Sequence, residues 1–203
     1  MIEVPQWFSR DVSRETLEKL ETYKNLLEKW TRKINLISKS TIEDISERHI
    51  WDSAQIYQQT QGKWVDLGSG GGLPGVVLAI LAEGWNEPLN LTLVESDQRK
   101  ATFLRACARE IEVSINVSAK RIEMIEVQNA DVVSARALTD LNSLIEMSFR
   151  HLAPGGLGVF MKGARWKAEV EDARKNWLFL CDAVLSKTSP EAAILKIRDI
   201  QRV

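Results

Sequence analysis

The sequence predicts an α/β protein built on a seven-stranded, mostly parallel sheet with a helical extension before it. After residue 62, short apolar runs alternate with segments of helical spacing, a pattern typical of doubly wound sheets. The first sixty residues show helical spacing instead. A chain of 203 residues suits one such domain with a short extension, and it is long enough to bury a core.

The first sixty residues predict two helices. Ser13 is a suitable N-cap, and apolar residues recur after it at steps of three and four, the spacing of one helical face. A second helix is predicted at residues 42–58, and no Gly- or Ser-rich linker follows it. We therefore expect residues 1–60 to form an extension packed on a domain of residues 61–203, as one compact unit. The apolar stripe of the first helix consists of Leu17, Leu20, Tyr23, Leu27, Trp30 and Ile34.

The elements of the predicted sheet domain follow in order along the chain. The first strand ends at Asp66, and a hairpin of residues 181–185 and 192–200 closes the sheet. The strands between them are expected at residues 89–95, 113–118, 130–137 and 157–162. Helices are expected at 76–82, 98–110, 139–152 and 165–177, with turns at 84–88 and 153–156.

A glycine-rich run, residues 65–75, joins the first strand to the next helix and predicts a nucleotide-cofactor loop. Glycines permit a sharp turn and a close approach to a ligand, and the following helix offers unpaired N–H groups at its first turn. Pro74 suits that first turn. The pattern Asp66-x-Gly-x-Gly-x-Gly resembles motif I of the class I S-adenosylmethionine-dependent methyltransferases, whose ligand needs room for a methionine tail rather than a phosphate cradle.

Two other interpretations of this loop stay open on the sequence alone. A dinucleotide fingerprint requires G-x-G-x-x-G soon after the strand. The register that begins at Gly68 places Leu73 at the third glycine, whereas the register 70–75 matches but begins further from Asp66. The second interpretation is a glycine-rich turn that binds no ligand, which is less favoured because such permissive residues are costly to order.

Residues at the ends of the next strands extend the cofactor prediction. Glu95 ends the second strand, where a carboxylate can accept hydrogen bonds from both hydroxyls of a ribose; its alternative role is to cap the following helix. Ile122 and Glu123 follow the third strand and are candidates to cover an adenine. Arg136 ends the fourth strand, and because an unpaired Arg is rarely buried, we expect it to face the cleft or to pair with Glu95 or Asp131.

Composition limits the possible partners. The net charge is -1, so binding to a nucleic acid would depend on a local basic surface, because phosphate contacts supply most of the affinity. No apolar run reaches the length of a membrane span and no signal-peptide pattern is present, so a cytoplasmic protein is expected. Cys107 and Cys181 lack metal-ligand spacing and are expected to be buried and unreactive. Two basic clusters are candidates for RNA binding or for solvated faces: Lys29, Arg32 and Lys33, and Lys162, Arg165 and Lys167.

Longer motifs resemble one family over nearly the whole chain. Residues 30–38 (WTRKINLIS) and 47–53 (ERHIWDS) are similar to the N-terminal signature of the ribosomal RNA small-subunit methyltransferase G family, also called glucose-inhibited division protein B. The loop 66–75 and the segments 134–137 and 162–163 match as well. The resemblance implies a cytoplasmic bacterial enzyme that methylates N7 of one guanine in small-subunit (16S) rRNA, with S-adenosyl-L-methionine as donor and S-adenosyl-L-homocysteine as product.

The resemblance also implies partners and roles for individual residues. Glu95-Ser96 replaces the Asp-Ser pair common in relatives, which retains a carboxylate for the ribose, and past Lys162 the match is looser. The expected partner is 16S rRNA or the small ribosomal subunit, without membrane or metal, and a monomer is expected. Expected cofactor contacts are Asp66, Gly68, Gly70, Leu73, Glu95, Ile122, Glu123 and Arg136, and expected RNA contacts are Lys33, Asn35, Arg48, His49, Lys162 and Arg165.

The end of the fourth strand indicates the kind of nitrogen that is methylated. Methyltransferases that act on exocyclic amines carry an Asn/Asp-Pro-Pro-aromatic motif there, whereas this chain has Ser134-Ala135-Arg136-Ala137. Guanine N7 has an in-plane lone pair and needs no general base, so orientation and desolvation would set the rate. Arg136 is therefore predicted to orient the base or the cofactor, and His49 is predicted to be structural rather than a base.

Three alternatives from other classes remain open on the sequence alone. They are a nicotinamide-dependent oxidoreductase, a non-catalytic rRNA-binding protein, and a class I methyltransferase with a small-molecule or protein substrate. Tight dinucleotide binding without S-adenosylhomocysteine binding would favour the first, and the intact loop with Glu95 argues against the second. Only the N-terminal signature distinguishes the rRNA methyltransferase from the third alternative, a class I methyltransferase with another substrate.

Overall fold

The computed structural model describes residues 2–57, 62–87 and 89–203. These residues include seven strands and six α-helices. The strands are β1 Lys63–Leu67, β2 Asn90–Val94, β3 Asn116–Ser118, β4 Ala130–Arg136, β5 Leu152–Lys162, β6 Trp177–Leu185 and β7 Ala193–Arg202. The helices are α1 Arg14–Thr31, α2 Asp52–Ala54, α3 Gly75–Gly84, α4 Gln98–Glu110, α5 Leu141–His151 and α6 Trp166–Ala173. Short helical turns lie at Lys39–Thr41, Ser46–Trp51 and Ile122–Met124.

The strands form one sheet in the order β3-β2-β1-β4-β5-β7-β6. The pairs among β1 to β5 are parallel, and β7 runs antiparallel between β5 and β6. Leu67, Val94, Ser118 and Ala135 lie in register at the carboxyl edge of neighbouring strands. In open α/β sheets ligands bind outside this edge where the strand order reverses, which here is between β1 and β4. The predicted fold class is confirmed.

Helices cover both faces of the sheet. One apolar cluster joins α1, α3 and α4 to the sheet face that includes Trp64, and a second joins α5 and α6 to the face that includes Val65 and Leu67. Successive strand residues point to opposite faces, so a strand buried on both faces is apolar throughout. The residues of α3 are buried from Gly75 to Ala82, because this helix contacts both the sheet and α1.

The first helix packs directly behind the glycine-rich loop. Ser13 caps α1 as predicted, its hydroxyl accepting the Thr16 N–H at 3.1 Å. The buried Tyr23 donates its hydroxyl to the carbonyl of Gly71 at 2.8 Å. A Cβ added to Gly71 would lie 2.9 Å from Leu27 Cδ1, so the loop packs closely against α1. The N-terminal extension is therefore part of the wall that supports the loop.

The continuous second helix predicted at residues 42–58 is wrong for the residues that the structure describes. The chain forms one π-helical turn, Ser46–Trp51, which runs into the three-residue α2, and Gln58 lies outside the described residues. The N–H of Asp52 donates to the carbonyl of Glu47, five residues earlier. Such wide turns are rare, occur frequently at functional sites, and leave no trace in apolar spacing.

Two boundaries in the second half also differ from prediction. The turn predicted at 153–156 belongs to β5, where the pairing with β4 shifts register and Gly155 has a φ of 75°. The helix predicted at 165–177 ends at Ala173. Trp177 is buried and opens β6, so its burial in the sheet overrides the helical spacing.

The remaining elements are confirmed with shifted ends. The third strand is shorter than predicted and begins at Asn116, while both strands of the closing hairpin are longer. The helix predicted at 139–152 is α5, whose N-cap Asp140 accepts the Ser143 N–H at 3.0 Å. The turn predicted at 84–88 extends to Pro88, which lies outside the described residues.

Burial of the two cysteines differs. Cys107 is buried, and burial raises the pKa of its thiol to about 12, as expected for an unreactive core residue. Cys181 is only half-buried, so the prediction of burial holds for Cys107 alone. Among the described helices, none combines the length and apolar character that crossing a membrane requires.

Candidate active site

A cavity of about 830 Å³, here termed the main cavity, opens at the carboxyl edge of the parallel strands. Loops that follow β1, β2, β3 and β4 line it, together with residues 35–39 after α1. The strand order places β2 and β3 on one side of β1 and β4 on the other. All but one of the predicted cofactor residues line this cavity: Gly68, Gly70, Leu73, Glu95, Ile122, Glu123 and Arg136.

Three glycines give the loop after β1 its shape. Gly68, Gly70 and Gly72 have φ values of 65°, 55° and 91°, a region that other residues rarely adopt. A Cβ at Gly70 would meet only the Gly68 carbonyl within 4 Å, at 3.8 Å, so the backbone there is open. A Cβ at Gly72 would lie 2.4 Å from Val76 Cγ2. Gly70 thus leaves room for a ligand, and Gly72 permits close packing of α3.

Asp66, the remaining predicted cofactor residue, lies beneath the loop and not on the cavity wall. Its fully buried carboxylate accepts the Ser134 hydroxyl at 2.7 Å, and that hydroxyl accepts the indole N–H of Trp64 at 2.9 Å. Burial raises the pKa of Asp66 to about 6, against the lowering effect of the Ser134 hydrogen bond. Its Oδ2 has no hydrogen-bond partner among the described residues. This position favours support of the loop over the direct cofactor contact that the sequence predicts.

Glu95 presents its carboxylate to the main cavity at the end of β2. Oε2 accepts the Gly70 N–H at 2.8 Å, and Oε1 accepts the Asp97 N–H at 2.8 Å. Asp97 is the residue that caps α4, accepting the Arg99 N–H at 2.8 Å, so the alternative role of Glu95 as helix cap is wrong. Each carboxylate oxygen keeps a second lone pair, which leaves Glu95 able to accept two hydroxyl hydrogen bonds.

The turn after β3 is held from behind by α5. The Ile122 carbonyl accepts Nε2–H of His151 at 3.2 Å, and the Glu123 carbonyl accepts from Arg150 at 2.8 Å. Burial lowers the pKa of His151, which favours its neutral form. The turn thus offers Ile122 and the exposed Glu123 side chain to the same side of the main cavity as Glu95.

Arg136 lies at the end of β4, on the opposite side of the main cavity. Its side chain is 15% exposed, and Nη1 donates to Asp52 Oδ2 at 3.0 Å and to the Arg48 carbonyl at 3.3 Å. Nη2 donates to Nδ1 of His49. Asp52 compensates the buried charge, so neither carboxylate considered from the sequence is its partner. The π-helical turn and the first residue of α2 bring all three acceptors to one guanidinium group.

His49 is fully engaged between Arg136 and Thr41. Its Nε2 lies 2.7 Å from the Thr41 hydroxyl, which donates to the Ser38 carbonyl at 2.8 Å. Burial, then the positive charges of Arg136 and Arg48, lower the pKa of His49 to about 4. The ring is therefore neutral near pH 7, and its lone pair is occupied. This arrangement favours a structural role over that of a general base.

A second cavity of about 410 Å³ adjoins the main cavity, and Arg136, His49 and Ala137 line both. The loop between β6 and β7 forms its far side. Asp52 links the two sides, because its Oδ1 accepts the Thr188 hydroxyl at 2.6 Å while its Oδ2 pairs with Arg136. Arg136 is thereby tied to the C-terminal hairpin.

The predicted RNA contacts occupy different positions. Asn35 and His49 line the main cavity, and the exposed Arg48 lines the second cavity. Lys33 and Arg165 are exposed but line neither of these two cavities. Asn35, Arg48 and His49 are therefore brought together at the site, whereas Lys33 and Arg165 are not.

Lys162, also predicted to contact RNA, has a structural position. It is buried, forms an ion pair with Glu169, and donates to the Thr139 carbonyl at 2.8 Å. Glu169 in turn accepts the N–H of Leu141, the first residue of α5, at 2.9 Å. Lys162 thus joins β5 to α5 and α6, and its position does not support contact with RNA phosphate.

Several residues of the site were not predicted from the sequence. Asp52 lies in the motif of residues 47–53, from which no role could be assigned to it, and its partner Arg136 is 84 residues away. Thr41 precedes the π-helical turn and contacts His49 within it, a contact that apolar spacing does not reveal. The sequence did contain a signal for the basic residues of the site, because Lys120 and Arg121 directly precede Ile122, at the edge of the sheet where the parallel strands end. Those that line the main cavity are Lys39, Lys100, Lys120 and Arg121.

Comparison with known sequences relates the chain to one protein family. The chain matches the GidB family model, described as rRNA small subunit methyltransferase G, over residues 16–196. It is 52% identical over 195 residues to the ribosomal RNA small subunit methyltransferase G of Ruegeria sp., covering 95% of each chain. The protein of the same name from Paracoccus denitrificans is 48% identical over 194 residues, covering 94% of this chain and 98% of that one.

Solved structures share the fold at low sequence identity. The N-methyltransferase NodS from Bradyrhizobium japonicum, in complex with S-adenosyl-l-homocysteine, has a TM-score of 0.54 at 16% identity, covering 89% of this chain and 97% of that one. A mutant of MtNAS in complex with S-adenosylmethionine has a TM-score of 0.58 at 16% identity, covering 90% and 72%. The family match excludes the oxidoreductase considered from the sequence. The chain belongs to the rRNA small subunit methyltransferase G family.

Proposed function

We propose that this protein transfers a methyl group from S-adenosyl-L-methionine to N7 of one guanine in 16S rRNA. Family membership supports the enzyme class and the rRNA substrate. The main structural support for the proposal is the arrangement of the main cavity. It joins the glycine loop and Glu95 on one side to Arg136 on the other, and its one histidine has no free lone pair.

The residues of the main cavity suit the proposed cofactor. A volume of about 830 Å³ is within the range of small-molecule sites, and the open backbone at Gly70 leaves space beside the loop. Glu95 has acceptor capacity for two ribose hydroxyls, and Ile122 offers an apolar surface to an adenine. When bound, the cofactor supplies an electrophilic methyl group on a sulfonium. The product is S-adenosyl-L-homocysteine.

The chemistry at N7 requires orientation and no proton transfer. N7 forms a bond to the methyl carbon as the carbon–sulfur bond breaks, and the positive charge passes from sulfur to the base. Among the described residues, the Nε–H and one Nη2–H of Arg136 have no acceptor, which leaves two donors for guanine O6 or for the cofactor. Arg136 would hold the reacting groups in line, and burial of the site would exclude water.

Contact with rRNA is proposed at the rim of the main cavity. Lys39, Lys120 and Arg121 are exposed there, and Arg48 is exposed at the second cavity. Such cations supply phosphate contacts that position RNA without reading its sequence. We further propose that the protein acts in the cytoplasm as a monomer, with residues 1–60 as an extension of a domain formed by residues 61–203.

A transfer assay tests this function. Radiolabelled S-adenosyl-L-methionine is incubated with small ribosomal subunits from cells that lack the protein, and subunits from cells that contain it serve as the matched control. The expected result is incorporation into the first substrate only, because the second is already methylated. Equal labelling of both, or none despite measured cofactor binding, would show that the substrate is different.

A further inference from the structure

The guanidinium of Arg136 is held by a short segment of chain. Its acceptors are the Arg48 carbonyl, Nδ1 of His49 and the Asp52 carboxylate, all within five residues of the π-helical turn and α2. A planar guanidinium has five N–H groups in a fixed fork. Hydrogen bonds fix three of these N–H groups, and because the guanidinium is rigid, they also fix the directions of the remaining two N–H groups. Any group that sets these bonds also sets which donors Arg136 offers to a ligand.

The protonation of His49 follows from its partners. An arginine cannot accept a hydrogen bond, so Nδ1 must be the acceptor and must carry no proton. Nε2 therefore carries the proton and donates to the Thr41 hydroxyl, which donates to the Ser38 carbonyl. His49 and Thr41 each accept one hydrogen bond and donate one, so the directions agree along the series from Arg136 to the Ser38 carbonyl. A protonated His49 would place a second donor against Arg136 and break the arrangement.

The chain of hydrogen bonds also connects two walls of the main cavity. Arg136 belongs to the end of β4, whereas Ser38 belongs to the segment that follows α1, and both line the cavity. His49 lies between them and is buried. The position of the segment and the orientation of the guanidinium are therefore coupled through one imidazole ring.

We propose that His49 is a positioning residue, which holds the Arg136 guanidinium in its reactive orientation through Nδ1 and ties it to residues 38–41 through Nε2–H. This inference rests on the proposed methyl transfer and deepens it. His49 acts through Arg136 and neither donates nor accepts a proton in the reaction. The Nδ1 bond is the one that matters for the rate, because it contacts the group that faces the ligand.

Substitutions separate the two bonds. The side-chain oxygen of His49→Asn occupies the place of Nδ1 and can accept from Arg136, whereas His49→Gln places its amide near Nε2 and can reach Thr41 only. Loss of orientation costs on the order of 100-fold in rate. We expect kcat to fall by about that factor in His49→Ala and His49→Gln, and by roughly tenfold or less in His49→Asn. The dissociation constant for S-adenosylhomocysteine should change far less than kcat in all three.

These variants can contradict the inference. The Nδ1 bond does not position Arg136 if His49→Gln is at least as active as His49→Asn. The same conclusion follows if a folded His49→Asn variant loses as much activity as His49→Ala. Circular dichroism and the binding constant for S-adenosylhomocysteine establish that each variant is folded. A wild-type protein that transfers no methyl group would count against the proposed function, and nitrogen NMR would still test the hydrogen bonds of His49.

Nitrogen NMR of the wild-type protein gives a test that requires no activity. The chain has only two histidines, so the spectrum of the His49→Asn variant assigns both. We expect both rings to be neutral with the proton on Nε2, and a hydrogen-bonded Nδ1 shift for His49. The matched reference is His151, whose Nε2–H donates to Ile122 and whose buried Nδ1 has no partner among the described residues. A proton on Nδ1 of His49, or a positively charged His49 ring at pH 7, would overturn the inference.

Discussion

Replacement of Asp66 by Asn tests whether the buried carboxylate beneath the glycine loop is held at a cost in stability. The pKa of Asp66 is about 6 in the folded chain and about 3.9 in the unfolded chain, which corresponds to about 3 kcal/mol of stability. Because folding raises the pKa of this acid, the folded chain keeps its proton while the unfolded chain loses it. Stability is therefore lost as the pH rises from about 4 to about 6, and it stays lost above.

The Asp66→Asn variant lacks this titration but keeps an oxygen to accept the Ser134 hydroxyl. The stability difference, variant minus wild type, should therefore become about 3 kcal/mol more favourable between pH 4 and pH 8. His49 titrates in the same range with the opposite sign, since its lowered pKa makes stability fall as the pH falls from about 6.5 to about 4. This effect is present in both proteins and cancels.

The assay is urea unfolding followed by tryptophan fluorescence at several pH values. Affinity for S-adenosylhomocysteine, measured by calorimetry, should be unchanged in Asp66→Asn, because Asp66 does not line the main cavity. A stability difference that is the same at pH 4 and pH 8 would refute the assignment of a buried carboxylate with a raised pKa. A large loss of affinity would instead favour the direct cofactor contact predicted from the sequence.

Three further substitutions test other parts of the site. Ser134→Ala removes the hydroxyl shared by Asp66 and a buried indole, and leaving two buried groups unsatisfied should cost about 2–4 kcal/mol in urea unfolding. Glu95→Ala removes both acceptors proposed for the ribose, so calorimetry should show roughly 100-fold weaker binding of S-adenosylhomocysteine. The double variant Lys120→Ala and Arg121→Ala should reduce the salt dependence of rRNA binding, lowering the slope of log K against log salt by about 1–2.

Each of these predictions has its own control. For salt dependence, the double variant Arg174→Ala and Lys175→Ala is the matched control, since both residues are exposed and line neither the main nor the second cavity. An equal change in slope for both variants would mean that charge alone matters and that the rim is not the contact. Unchanged affinity in Glu95→Ala would remove Glu95 from the cofactor site. Wild-type stability in Ser134→Ala would show that water satisfies both buried groups.

Those parts of the site that depend on local backbone patterns could be predicted from the sequence. The alternation of strands and helices brings the ends of parallel strands to one edge, which placed Gly68, Glu95, Ile122 and Arg136 around one cavity. Glycines with positive φ at alternate positions follow directly from the spacing of the loop. The fold class required no more than this alternation.

Contacts between distant parts of the chain could not be predicted. Arg136 and Asp52 are 84 residues apart, and their pairing depends on a π-helical turn that apolar spacing does not reveal. The burial of Lys162 depends on Glu169, which reaches it from another element. Asp66 belongs to the predicted motif, but its hydrogen bond with Ser134 depends on the register of two strands that lie far apart in the sequence. In each case the partner, and not the residue itself, determines the role.

The measurement that tests the central claim most directly is chemical mapping of the methylated atom. Small subunits from cells lacking the protein are incubated with it and S-adenosyl-L-methionine, and their 16S rRNA is treated with borohydride and aniline, which cleave at N7-methylguanine. One new strand break that depends on both protein and cofactor is the predicted result. Methyl transfer without any new break would contradict the assignment to guanine N7.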